Sequence, residues 1–202
     1  LLLLILVTSL GVTSAQISNV SCNTSTGTPW VQGSFNNLSV SASSGIFISQ
    51  WSNTNNVIDN NNSNTTSTTI FGIGTRSLKV TDSVNDYPAG SYVGYKIDLD
   101  DLVTTFSITL KTYLNGVEQE SKNITTKTSL INLHGAYEVG MITTKNWDAI
   151  ELQYTSLGLT GSITVYHAVV KKFCAGADLV CNTETKMVNN AYGTYINKAR
   201  TG

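Results

Sequence analysis

The stretch Phe106–Val117, F-S-I-T-L-K-T-Y-L-N-G-V, constrains this chain more than any other. Phe106, Ile108, Leu110, Thr112 and Leu114 share one parity, and Ser107, Thr109, Lys111 and Tyr113 share the other. Successive side chains of a strand point to opposite faces, so the alternation predicts one face on a core and one in water. Asn115-Gly116 follows. Both residues tolerate the positive φ that a two-residue type I′ hairpin turn needs. Val117–Ser121 is therefore the expected return strand.

Further strand signals follow the same logic along the chain. A short strand is expected at Ile46–Trp51, then Thr69–Ile73 and Arg76–Asp82 on either side of Gly72-Ile73-Gly74. Ser91–Leu99 comes after the turn residues Asn85–Gly90, in which Pro88 fixes φ and Gly90 is free to take φ > 0. Ser129–Leu133 and Ala136–Thr143 come next, then Trp147–Thr155 with Ile150, Leu152 and Tyr154 on one parity, and finally Ser162–Lys171. Asn53–Ser67 is an Asn-rich run and reads as a loop. Roughly eight to ten short strands, with turn signals about every ten residues and no helical period, predict an all-β chain. The expected architecture is an antiparallel β-sandwich, jelly-roll-like.

Charge sharpens this reading. Charged residues make up only 12% of the 202 residues, against about 25% in an ordinary globular chain. Ser, Thr and Asn supply the polar surface instead. A net charge of −1 leaves no electrostatic footprint for nucleic acid or an anionic membrane. Leu1–Val7 is apolar and small residues run up to Ala15. That predicts a signal peptide over residues 1–15, clipped at its start because it lacks an initiator Met and a basic n-region. Residues 16–52 read as a leader with the first strand or strands, 53–173 as the main sandwich, and 174–202 as a linker and the start of a following module. The expected location is secreted or at the cell surface, without membrane insertion.

Cys22, Cys174 and Cys181 suit an oxidising compartment. Cys174 and Cys181 are close enough for a local disulfide, which leaves Cys22 odd. The alternative joins Cys22 to one of them, and sequence does not choose. The spacing is not C-x2-C, so zinc is not indicated. Asp82, Asp86, Asp98, Asp100 and Asp101 fall in or beside turns, where oxygen ligands could hold calcium. They match no EF-hand, and Asp also belongs in turns for local hydrogen bonding. No cofactor is expected, with calcium the one ion considered.

Trp51, Tyr87, Tyr92, Tyr95, Tyr137 and Trp147 could form a sugar-stacking platform, with Asn or Asp beside them reading hydroxyls. The competing reading makes the same aromatics sandwich core. The candidate ligand residues are Trp51, Tyr87, Tyr92, Trp147 and Asp148, on or near the loops Asn53–Ser67, Asn85–Gly90 and Thr144–Asp148. Glu118 and Glu120 share one face of an ideal strand, about 7 Å apart, which is the kind of pair glycoside hydrolysis uses. Solvated charges after an Asn-Gly turn explain them equally well. His134 and His167 have no nucleophile motif nearby, and His167 is expected as a satisfied core or edge residue. No catalytic residue is assigned.

Several phrases recur in order: Asn56–Asp59, Ser77–Asp82, Tyr87–Tyr95, Thr112–Val117, Val139-Gly140, Trp147–Ile150 and Thr164–Ala168. With D-L-V-C-N-T at Asp178–Thr183, this set resembles the β-sandwich modules of long secreted surface proteins of Bacteroidetes. These include adhesin-like proteins of gliding bacteria, in which immunoglobulin-like repeats often follow. The resemblance covers about Asn53–Thr185 and implies an exported multidomain protein, with no catalytic residue to transfer. The expected function is a non-catalytic surface module for adhesion or spacing. The alternative is a carbohydrate-binding module of a secreted polysaccharide-degrading enzyme. Surface glycans or neighbouring domains of the same chain are the expected partners.

Overall fold

Asn115 and Gly116 hold φ at 51° and 79°, the left-handed pair of a type I′ turn, and the chain reverses there as its sequence requires. A computed structural model describes residues 20–35, 37–43, 50–99, 106–127 and 135–174. Its strands are β1 (Thr28–Pro29), β2 (Leu38–Ser43), β3 (Thr66–Asp82), β4 (Tyr92–Leu99), β5 (Phe106–Leu114), β6 (Val117–Lys127), β7 (Tyr137–Ile142) and β8 (Ala149–Lys171). A single 3-10 turn spans Thr54–Val57 in the Asn-rich loop. Every pairing between these strands is antiparallel. The chain is an antiparallel, jelly-roll-like β-sandwich. The strands expected at Ser129–Leu133 and over most of Ile46–Trp51 lie outside the described residues.

Two pairs of expected strands prove to be single strands that turn a corner. Thr69–Ile73 and Arg76–Asp82 are one strand of 17 residues, and Trp147–Thr155 and Ser162–Lys171 belong to one of 23. β3 and β8 stay paired from Thr66↔Val165 to Thr81↔Ala149, with a register shift between Phe71 and Ile73. Gly72 sits in that shift at φ 81°, the bulge chemistry that bends a strand without ending it. Glycine therefore marks a corner here, not a break.

The corner builds both layers from one hairpin. Before it, β8 lies between β3 and β5, with β2 beyond β3 and β6 beyond β5. After it, β8 lies between the first half of β3 and β4, with β7 beyond β4. Strands that switch sheets in this way make the closed corners of a sandwich. Inside the bend, Tyr154 packs on Gly161, where an added Cβ would lie 2.4 Å from its hydroxyl. A straight strand would separate those two positions by about 23 Å. Phe71 and Ile73 are exposed at the same corner.

Alternation then fills the space between the layers. Leu78, Val80, Ile108, Leu110, Ile150 and Leu152 of the first layer are fully buried, and so are Val93, Tyr95, Ile97 and Val165 of the second. Tyr95 crosses between the layers. Its hydroxyl lies 2.8 Å from the Ile150 carbonyl and 3.1 Å from that of Leu78. Burial holds this phenol well above its usual range, so it stays a neutral donor.

Of the two pairings left open by the sequence, the structure holds the long-range one, and the local Cys174–Cys181 bridge is not formed. Cys174 is joined to Cys22, with Cα atoms 5.5 Å apart across a sequence separation of 152. Backbone pairing explains the choice. Cys22 bridges in parallel to Lys172, and the Asn23 side chain bonds both the N–H and the carbonyl of Cys174. Cys181 lies outside the described residues. Among the described residues no helix is long and apolar enough to cross a membrane.

Candidate functional site

Tyr87 and Trp147 were expected on the binding loops, and those loops do meet. Ala89 N–H donates to Asn146 Oδ1 at 3.0 Å, Gly90 N–H donates to the Thr143 carbonyl, and Tyr87 and Trp147 exchange backbone bonds of 2.6 and 3.0 Å. Their rings turn inward, however. They stack with centroids 4.4 Å apart, and Trp30 sits edge-on to both. All three are between 0 and 3% exposed. Trp30 Nε1 donates to the Tyr87 hydroxyl, which donates to Asp82 Oδ2, and Trp147 Nε1 donates to Ser91 Oγ. Burial, and next the Asp82 hydrogen bond, push the Tyr87 phenol far up.

Trp51 is also buried, and its Nε1 has no hydrogen-bond partner among the described residues. Asp148 is buried and braces the β5–β6 turn, accepting the Asn115 N–H on Oδ2 at 2.6 Å. Burial raises its carboxyl above the usual value. Trp51, Tyr87, Trp147 and Asp148 are thus placed inside the fold. Asp82 accepts from Val84 N–H, Asn85 N–H, Asn85 Nδ2 and the Tyr87 hydroxyl, the local turn bonding that favours Asp. Among the described residues no group of three His, Cys, Asp or Glu side chains is arranged to hold a metal.

The expected Glu118–Glu120 face does not form. A bulge opposite Thr112/Tyr113 pairs Glu118 with Tyr113 and Glu120 with Thr112. Thr112 is buried on the core side, whereas Tyr113 lies outside with Lys79 over its ring. The two carboxylates therefore point to opposite faces. Glu118 pairs with Lys111 at 2.9 Å. Glu120 accepts the N–H groups of Thr144 and Lys145 and the Thr144 hydroxyl. His167 is buried, as a core or edge residue would be, but its Nδ1 lacks a partner among the described residues.

Tyr92, the fifth expected residue, opens β4 on the outer face of its layer. It is registered between Lys171 of β8 and Ile142 of β7, and two residues on Gly94 lies between Val169 and Gly140. With no side chain at Gly140, the Tyr92 ring lies down on β7. A Cβ at Gly140 would meet its Cζ at 2.2 Å. Lys171 Nζ stands 4.7 Å from the ring centroid, donates to the Ser25 carbonyl at 2.8 Å and pairs with Glu138 at 3.0 Å. Glu138 also accepts the Gly27 N–H. Residues 25–27 are thus strapped across the sheet. Burial, and next the Glu138 charge, push the Tyr92 phenol up to about 12.

Beside Tyr92 opens a cleft of about 410 Å³. Thr24, Ser25 and Phe173 line one part of it, Gly140–Ile142 another, and Lys122 of β6 approaches from the edge of the other layer. Phe173 is 40% exposed. Thr24 Oγ1 is buried without a hydrogen-bond partner among the described residues. Thr24 follows Cys22 by two residues and Phe173 directly precedes Cys174, so the disulfide sets the distance between those two linings. The cleft offers an aromatic edge, an apolar patch, hydroxyls and two ammonium groups. Sequence reading missed Phe173, Thr24 and Lys122. Parity pointed the other way for Lys122, since an unbroken hairpin would set it opposite outward Thr109 and only the bulge sets it opposite inward Leu110.

No family model matches this sequence, and no curated protein matches it. Solved structures do. The family 32 carbohydrate-binding module of Clostridium perfringens NanJ, in complex with galactose, is 16% identical over 66% of this chain and 93% of its own, with a TM-score of 0.40. CpGH89CBM32-5 from the same organism, in complex with GalNAc-β-1,3-galactose, is 11% identical over 71% and 99%, with a TM-score of 0.44. A family 29 carbohydrate-binding module from Piromyces equi is 13% identical over 69% and 83%, with a TM-score of 0.43. With TM-scores below 0.5, these likenesses carry no argument about this chain's activity.

Proposed function

We propose that this chain is a non-catalytic glycan-binding module of an exported protein. The observation that carries the proposal is the cleft beside Tyr92. A sugar ring has apolar faces and a polar rim, and sites that hold one combine aromatic or aliphatic surface with a few placed donors and acceptors. Phe173 and Ile142 supply the first, and Thr24, Ser25 and Lys122 the second. The Cys22–Cys174 bridge supports export into an oxidising compartment. The fixed, separated roles of Glu118 and Glu120 support a binding function over hydrolysis.

The same bridge favours an appended module over an in-line spacer. Residues 22 and 174 lie side by side, so the described fold hangs from one point. A spacer transmits length best when its two ends lie at opposite poles. We therefore infer that the domain serves as the carbohydrate-binding appendage of a larger secreted protein such as a polysaccharide-degrading enzyme. A glycan array of the wild-type chain, Tyr92→Ala and Phe173→Ala tests this. Retention of a defined glycan that both substitutions abolish is expected. No retention of any glycan, or retention that neither substitution changes, overturns it.

A further inference from the structure

Charge around the cleft is unevenly satisfied. Lys171 is engaged by the Ser25 carbonyl, by Glu138 and by the Tyr92 ring. Glu138 is consumed in turn by Lys171 and the Gly27 N–H. Lys122 is different. It is exposed on the edge strand β6, at the register of inward Leu110, and among the described residues it has no ion-pair partner. The carboxylate two residues away, Glu120, is saturated by Thr144 and Lys145. Among the described residues no Asp or Glu lines the cleft. Among the described residues the cleft thus holds one unneutralised ammonium, and it is lined as well by the unpartnered hydroxyl of Thr24 and the exposed ring of Phe173.

Resting on the glycan-binding reading above, we propose that the cleft selects an anionic glycan, with Lys122 as the residue that reads the charge. The ligand class is a sugar bearing a carboxylate or a sulfate ester. A charge-assisted hydrogen bond from an ammonium to either oxyanion is markedly stronger than one to a neutral hydroxyl. Phe173 and Ile142 take the apolar face of the ring, and Lys122 takes its anionic substituent. The preference comes from Lys122 and not Lys171, because the charge of Lys171 is already matched within the protein.

Matched pairs of polysaccharides test this: polygalacturonate against its carboxyl-reduced form, and a sulfated galactan against its desulfated form. Binding is read by biolayer interferometry for the wild-type chain, Lys122→Gln, Lys122→Arg and Tyr92→Ala, with thermal melts confirming folding. At low salt at least one acidic form should bind about tenfold tighter than its neutral partner, the worth of one charge-assisted bond. The ratio should fall toward one in high salt. Lys122→Gln should bring the ratio to about one by weakening the acidic form most, and Lys122→Arg should retain it. The pair showing the ratio identifies carboxylate or sulfate as the group read. Equal binding of acidic and neutral forms, or a ratio that survives Lys122→Gln, overturns the charge selection and leaves glycan binding standing. Wild type that binds none of the four any better than Tyr92→Ala overturns both.

Discussion

The indole of Trp147 is stacked on the ring of Tyr87, centroids 4.4 Å apart and planes 18° from parallel. Together with Trp30 the pair plugs one end of the sandwich. Trp147→Ala empties that plug and is expected to lower unfolding free energy by about 3–5 kcal/mol. Tyr87→Phe keeps the ring but leaves Trp30 Nε1 buried without its acceptor, for a loss of about 1–3 kcal/mol. Denaturant titration checks both. Glycan retention by Tyr87→Phe should match wild type at temperatures where it is folded. A loss of retention there would mean that the aromatic plug, not the cleft, forms the site.

The β-character of the chain was legible because alternation is a local property. Phe106–Leu114 stands where its parity put it, and Tyr92–Leu99 falls within the strand expected at Ser91–Leu99. Gly72-Ile73-Gly74 was misread as a break because glycine serves breaks and bulges alike, and only the partner strand shows which. The Glu118–Glu120 face failed for a related reason, since one bulge reverses parity and leaves no trace in the two glutamates themselves. Aromatic residues carried the least positional information. Tyr87 and Tyr92 are five residues apart in one turn-and-strand segment, yet one is core and the other borders the cleft. Phe173 and Thr24 line one cleft because pairing and a disulfide join segments 152 residues apart, which no local pattern marks.

That bridge should matter for both stability and binding. Closing so long a loop restricts the unfolded chain strongly, and its loss is expected to lower unfolding free energy on the order of 4 kcal/mol. Cys22→Ser with Cys174→Ser, or reduction of the wild type, tests the value by denaturant titration. Glycan affinity should fall even where the reduced protein is still folded, because the Thr24 and Phe173 linings are then held together only by the hydrogen bonds of Asn23 to Lys172 and Cys174 and of Lys171 to Ser25. Unchanged affinity after reduction would show that the cleft is held without the bridge.

Alkaline pH should unfold the protein over a defined window. Burial pushes the phenols of Tyr92 and Tyr137 up to about 12, from 10.0 in the unfolded chain. Below pH 10 both states hold these protons and the fold has its full stability. Above it the unfolded chain releases protons that the fold retains, so stability falls as pH rises toward 12. Tyr87, Tyr95 and Tyr113 shift in the same direction and steepen the loss. Phenolate absorbance followed with unfolding should show ionisation delayed until the fold opens. Tyr92→Phe with Tyr137→Phe should flatten the fall, and a profile identical to wild type would contradict the assignment.

On the acid side the sign is set by His167. Burial, and next the Lys96 charge, lower its pKa from 6.5, against an opposing pull from Glu138. Above pH 6.5 neither state is protonated there. As pH drops below it, the unfolded chain binds a proton that the fold resists, so stability is lost progressively. His167→Gln should remove this part of the decline. Unfolding free energies of the two proteins across that range should diverge below pH 6.5 and run parallel above it. Parallel curves throughout would assign the acid sensitivity to another group.

Gly140 supplies the sharpest test of how the cleft is built. An added Cβ would lie 2.2 Å from Tyr92 Cζ and 2.7 Å from the Val93 carbonyl oxygen. Gly140→Ala must therefore displace the ring as well as press on the neighbouring strand, for an overpacking loss of about 1–3 kcal/mol. The two contacts can be separated by a double-mutant cycle. Where Tyr92→Ala has already removed the ring, Gly140→Ala should cost less, and the difference measures the ring contact. Gly140→Ala should also lower the Tyr92 phenol from about 12 toward 10.0 as the displaced ring meets water and leaves Glu138. Glycan affinity should drop in step with that shift. An alanine that leaves the Tyr92 titration unmoved would mean the ring does not rest on Gly140.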